Sequence, residues 1–536
     1  MTRVSIALNA CVALMLLAAC AAPAAPVAAP TTSGPKRGGT FTDASFSDAT
    51  SLQPLITNDS ASSTYQTFVY ASLTRTDPQT LEVTGDLYED QPELSADGRT
   101  LTWKLRKGLK WSDGTPLTAQ DVEFTWQKMI DPNTQFPAVK FYTDSFSDVK
   151  AVDDLTIAYT LKEPGFCPAI RNSGLPGPIP KHVFEKVDIN QNPANDQPTV
   201  INGLWFLKEW KRDDHATFSP SYAGYVDGQA LLDTYIVRIV KDNTVQTQLF
   251  KTQDVDTATP DPVDWDEIKK LPFAQTFEYY SPAANWTFIG FNLNHPFFGD
   301  KRVRQAISYA IDVQAMVDKI RLGYAKRQFS NIPASSWAYT DDVPKFDYNP
   351  DKAKALLKEA GWTPGPDGIL QKDGKPFKFR LFFNSGNKQR EQIAVITQQY
   401  LKDVGIAVDI QQEDFTAYLK RIQQTKDFDM FILGWVGGID PFATGNIWKS
   451  EGSQNFIGYK NPEVDQLYDQ AAVVPGCKQE DRKPYYEKIQ QLIAEDQGYV
   501  FLFTNESLVA VNKRIKVNPL TKLGIGYQLE LWQLAP

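Results

Sequence analysis

Leu101-Thr102-Trp103-Lys104-Leu105-Arg106-Lys107-Gly108, continuing as Leu109-Lys110-Trp111-Ser112-Asp113-Gly114-Thr115-Pro116-Leu117-Thr118-Ala119-Gln120-Asp121-Val122, is the run from which the architecture of this 536-residue chain is read. Residues 100–106 alternate, with Leu101, Trp103 and Leu105 on one face and Thr100, Thr102, Lys104 and Arg106 on the other, the period of a half-buried strand. Ser112-Asp113-Gly114-Thr115-Pro116 has turn chemistry. Thr118 then stands where an N-cap belongs, Asp121 follows three positions later, and Val122, Trp126 and Met129 recur at helical spacing. Strand, turn and helix succeed one another.

The same alternation extends outward. Leu155, Ile157, Tyr159 and Leu161 mark a strand, and Tyr235, Val237 and Ile239 another. Beyond residue 285, Val303, Ala306, Ile307, Ala310 and Ile311 form a helical stripe, with Asp312 as the cap of the next helix. Asn349 caps a helix that has Pro350 at its first position and Gly361 at its end. Residues 377–383 are strand-like, 393–404 helical, and Ile406, Val408 and Ile410 alternate again. The body is α/β.

Hydrophobic residues make up 42% and charged residues 22%, proportions of a globular chain with a sizeable core. Net charge is −9, which lacks the electrostatic footprint of a nucleic-acid binder, so no nucleic acid is expected. Twelve Trp, 22 Tyr and 31 Phe either fill that core or line a gripping surface. At the N-terminus, Arg3 precedes an apolar run at residues 11–17 that is too short to span a bilayer and reads as a signal peptide. Leu17-Ala18-Ala19-Cys20 resembles the lipobox at which bacterial lipoproteins are diacylated on cysteine, making Cys20 the expected lipidation site; an ordinary secretory cleavage nearby is the alternative. The Ala/Pro-rich residues that follow, through 38, favour an extended tether of roughly 50 Å. Cys167 and Cys477 have no metal-type spacing, and whether they pair stays open.

His182, His215 and His295 are isolated, so no His-Glu-x-x-His zinc site exists. No Gly-x-Ser-x-Gly elbow or phosphate-binding Gly-x-x-x-x-Gly-Lys loop is found, and Gly524-Ile525-Gly526 lacks the rest of a dinucleotide fingerprint. Asp427 and Asp429 read as a solvated turn before they read as a glycosidase pair. No catalytic residue, metal or cofactor is expected; a secreted hydrolase is the competing class.

Gly38-Gly39-Thr40-Phe41, the run at 101–132, Ile179-Pro180-Lys181-His182, Phe291-Asn292-Leu293-Asn294, Val303-Arg304-Gln305-Ala306-Ile307, Gly434-Trp435 and Asn461-Pro462-Glu463-Val464-Asp465 together resemble the extracytoplasmic solute-binding proteins of family 5, the oligopeptide- and dipeptide-binding components of ABC importers. The resemblance implies a periplasmic-binding-protein-like fold (class II type, cluster C), a bilobal cleft with an additional inserted lobe. It implies lobe I from residues 39–75, 200–285 and 499–536, an inserted lobe II at 76–199, and lobe III at 286–498. It implies a monomeric receptor, held to the membrane by its N-terminal lipid. Such a receptor closes on a peptide or related polar oligomeric solute and delivers it to the permease's transmembrane subunits; relatives with this scaffold also take oligosaccharides and other non-peptide solutes. In peptide-binding relatives an Asp follows Gly-Trp after two residues and pairs with the ligand amine. Here Val436, Gly437 and Gly438 follow Trp435, and the first carboxylate is Asp440, which is either a displaced amine partner or a cap before Pro441. By the same resemblance Trp435, Gly437, Gly438 and Asp440 line the cleft, Asn58, Asp59 and Ser60 border it from lobe I, and Phe141 and Tyr142 wall it from lobe II. Trp286 is read as core.

Overall fold

The computed structural model describes residues 37–535 apart from 90, 172–174, 222–229, 283–284 and 527–528. The leader, Cys20 and the tether up to residue 36 lie outside the described residues.

The signature run folds as its pattern dictates. Thr100–Lys104 is a strand with Leu101 and Trp103 buried. It pairs antiparallel with Thr156–Leu161 in a four-stranded sheet completed by Glu93–Leu94 and Phe146–Ala151. Helix Ala119–Ile130 covers the sheet with Val122, Trp126 and Met129. Asp121 is buried because both its oxygens are satisfied: one accepts the Thr118 N–H at 3.0 Å, the other the Lys181 N–H at 3.0 Å. His182 Nε2 lies 2.9 Å from Asp113 and pins the turn.

A second unit is built from strands distant in sequence. Thr40–Ser45 runs parallel to Thr234–Ile239, which pairs antiparallel with His215–Pro220, and that strand pairs in turn with Trp205–Lys211. A three-stranded sheet of Thr257–Ala258, Ser507–Asn512 and Ala274–Tyr279 extends it. The third unit is a six-stranded sheet in the order Ala325–Arg327, Tyr499–Asn505, Asn285–Phe291, Met430–Val436, Lys378–Asn384, Ala407–Glu413. Ile289, Met430, Ile432 and Leu502 face one core, with helices Lys301–Ala310 and Lys388–Asp403 packed there; Phe288, Phe431, Leu433 and Phe501 face the other.

The expected boundary at 498 is corrected. Tyr499–Asn505 is an inner strand of the six-stranded sheet, and the chain returns to the first lobe only at Ser507. The reason is burial on both faces: Tyr499-Val500-Phe501-Leu502-Phe503 is continuously apolar and wholly buried, which an edge of the first lobe would not provide. The chain therefore passes between the three-stranded and six-stranded sheets at two places, after Tyr279 and between Asn505 and Ser507. Cys167 and Cys477, left open by the sequence, form a disulfide with a Cα–Cα separation of 5.2 Å. No helix among the described residues is long and apolar enough to cross a membrane.

Candidate cleft site

Strand Lys378–Asn384 runs parallel to Met430–Val436, but they pair only through Leu381–Met430 and Phe382–Phe431 before splaying. The opening at the carboxyl ends of adjacent parallel strands is where α/β sheets hold ligands. On its other side Met430–Val436 stays fully paired, with Trp435 opposite Trp286 and Gly434 opposite Thr287. A Cβ on Gly434 would stand 2.9 Å from Asn285 Oδ1 and 3.2 Å from the Trp286 carbonyl, so a larger residue there requires the Asn285 side chain and the facing strand to shift.

Trp435 is half-buried on this wall. Its ring stacks on Phe288 at 6.0 Å and leans on Phe456 at 5.4 Å, and its Nε1 donates to the Tyr499 hydroxyl at 3.4 Å. Tyr499 in turn stacks on Phe288 at 3.9 Å. The indole is thus held in one orientation by rings behind it. Trp286, 1% exposed, is core, as read from the sequence. Gly437 is half-buried and Gly438 exposed on the loop after the strand; Val436 beside them is 71% exposed, an apolar side chain at the opening.

Asp440 is corrected as a free amine partner. Its oxygens lie 2.6 and 2.9 Å from the fork of Arg482, itself 1% exposed, and one of them also accepts the Phe442 N–H. The carboxylate is a cap and an anchor, the other of the two readings. Asp59 is likewise committed: it caps helix Ser60–Val69 through the Ser62 N–H and accepts from the Ser62 and Thr57 hydroxyls. Asn58 and Ser60 beside it are exposed. Phe141 and Tyr142 lie half-buried on helix Val139–Ser145, with Tyr142 stacked on Phe136 at 5.8 Å. No hydrogen bond or ring contact among the described residues joins residues 58–60 or 141–142 to Trp435. Asp427 and Asp429 are bound by Arg380, and Arg421 also holds Asp427. Arg380 keeps the Asp427 carboxyl below its ordinary range; at Asp429 burial pushes upward but the Arg380 hydrogen bonds outweigh it. Neither is poised as a general acid.

Sequence reasoning missed Arg390. It sits in the first turn of helix Lys388–Asp403, immediately after the splayed strand, and its Nη1 donates to Asn384. Its Nη2 lies 3.8 Å from where a Gly434 Cβ would be, which places the guanidinium at the crevice. Burial depresses its pKa, and no carboxylate ion-pairs with it among the described residues. A cation in a first turn opposes the helix dipole, and that local conflict was the available signal. The arrangement offers an aromatic wall and, among the described residues, a cation without an ion-pair partner; the strand edge beyond Phe431 is covered, with the Ile432 carbonyl accepting from the Tyr418 hydroxyl at 2.7 Å.

Residues 82–456 match the family described as bacterial extracellular solute-binding proteins, family 5 middle. The oligopeptide-binding protein AppA of Bacillus subtilis (strain 168) is 32% identical over 520 residues, covering 94% of this chain and 92% of that protein. The periplasmic oligopeptide-binding protein OppA of Escherichia coli (strain K12) is 26% identical over 455 residues, covering 77% and 78%. Among solved structures, that of AppA from Bacillus subtilis in complex with a nonapeptide superposes with a TM-score of 0.88 at 30% identity, over 94% of this chain and 100% of that one.

Proposed function

The chain belongs to the bacterial extracellular solute-binding proteins of family 5, and from that premise we propose that it captures peptides in the cleft beside Trp435 and presents them to the transmembrane subunits of an ABC importer. It binds and releases; it does not make or break bonds. The observation that carries the peptide reading is the likeness, over nearly the whole chain, to a protein whose structure holds a nonapeptide. The site's side chains support it: Trp435, held by the rings behind it, covers an apolar side chain, and Arg390 takes an anionic group of the solute. With Asp440 spent on Arg482, recognition does not run through that carboxylate.

Calorimetric titration with a pool of nonapeptides, half with free and half with amidated C-termini, tests this. Binding is expected, with Trp435→Ala weakening it about 10-fold in a folded protein. Arg390→Ala is expected to cost about 10- to 100-fold for carboxylate-bearing peptides and to erase discrimination against neutral ones. Failure of every peptide to bind sinks the reading, and unchanged affinity in Trp435→Ala sinks the placement of the wall.

The receptor is proposed to act as a monomer, lipid-anchored through Cys20 on the extracytoplasmic face. Cys20→Ser should move it from the membrane to the soluble fraction on cell fractionation, and continued membrane association would refute the anchor.

A further inference from the structure

We propose that the Cys167–Cys477 disulfide is a covalent latch across the solute cleft, fastening the inserted lobe to the third lobe so that the oxidised receptor opens only partly. Cys167 opens the short helix Cys167–Arg171, which follows the last strand of the inserted lobe's sheet. Cys477 closes the turn Pro475–Cys477, directly before helix Gln479–Asp496 of the third lobe. By main chain these two lobes communicate only through the first lobe, so the bond closes a covalent ring around the cleft.

The latch sits at the wall loop itself. Phe166, next to Cys167, packs edge-on against Phe442 at 5.3 Å, two residues after Asp440. Asp440 is tied to Arg482 on the helix that begins just beyond Cys477. The disulfide, the ring pair and the buried ion pair therefore converge on the segment that follows Trp435. Phe166 and Phe442 alone are one ring contact, which a hinge motion separates readily; the covalent bond is not separable. While it stands, the two Cα atoms, now 5.2 Å apart, cannot move beyond about 7 Å. This edge then follows the third lobe in any hinge opening. Cys167 is fully buried and Cys477 is 6% exposed, so a reductant reaches the bond only when the lobes part locally. Reduction by a dithiol breaks the S–S bond with two electrons and two protons, leaving Cys167 and Cys477 as thiols and the dithiol as its own disulfide.

The inference rests on the solute-capturing reading of the cleft, and its test uses no solute, so the two fail separately. Small-angle X-ray scattering is measured on the full chain carrying Cys20→Ser, freed of solute by denaturation and refolding. Three forms are compared: oxidised, reduced with dithiothreitol, and carrying Cys167→Ser with Cys477→Ser. The oxidised form is expected to be the most compact, with the reduced and doubly substituted forms larger in radius of gyration by roughly 1 Å. Equal radii in oxidised and unlinked protein of unchanged circular dichroism overturn the proposal. If the double variant does not fold, the reduced native sequence supplies the same comparison.

Discussion

Arg482→Met is expected to destabilise the protein by about 3–5 kcal/mol, the cost of leaving a buried charge without its partner. Arg482 is 1% exposed and makes four kinds of contact: both oxygens of Asp440, the Ala471 carbonyl at 2.9 Å, the Tyr486 hydroxyl at 2.8 Å, and the rings of Trp337 and Tyr486. Methionine fills much of the volume but leaves the Asp440 carboxylate with the Phe442 N–H as its remaining donor. Since Asp440 fixes the loop that follows Trp435, the variant should lose solute affinity as well as stability. Adding Asp440→Asn removes the orphaned charge while keeping the cap, and most of the stability should return. Urea unfolding of the single and double variants measures both; a single-variant loss below about 1 kcal/mol would show that the pair is not an anchor.

The second large effect belongs to Arg514. Asp256 is fully buried, and Arg514 meets its two oxygens at 2.6 Å each while the Thr42 N–H donates at 2.9 Å. One carboxylate thereby joins the first strand of the first lobe, the segment before Thr257–Ala258, and the C-terminal segment beyond Ser507–Asn512. Arg514→Met should cost about 3 kcal/mol at neutral pH. The loss carries a pH signature. Burial already holds the Asp256 carboxyl above its ordinary 3.8, despite Arg514. A carboxyl with a raised folded-state pKa binds its proton more tightly folded than unfolded, so it costs stability as pH rises through that folded pKa. Without Arg514 the pKa rises further. The defect should therefore be greatest at pH 7 and shrink as pH falls toward the ordinary aspartate range. Urea melts at pH 7 and pH 5 check this, and a defect that grows on acidification would contradict it.

Much of the fold was legible in short stretches. Leu101, Trp103 and Leu105 announced their strand, Thr118 with Asp121 the start of a helix, and Asn349-Pro350 another, because alternation and capping act over a few residues. Trp435 was singled out for the proposed site through its glycine-rich surroundings; the chemistry around it was not legible. Asp440 looked the same to the sequence whether it faced a solute or a buried guanidinium 42 positions away, and Arg390 was not singled out at all, because what places it beside Gly434 is the packing of helix Lys388–Asp403 on the sheet.

By itself, then, the sequence determined the α/β alternation, the strand-turn-helix signature and the order of its elements, since each is written in contacts between near neighbours. Only the tertiary structure decided that Tyr499–Asn505 belongs inside the six-stranded sheet, that Cys167 bonds to Cys477 across 310 residues, and that Arg482 and Arg514 claim the carboxylates of Asp440 and Asp256. A buried charge or a thiol chooses its partner by proximity and exclusion from water, and both are properties of the packed lobes, not of the chain's local pattern.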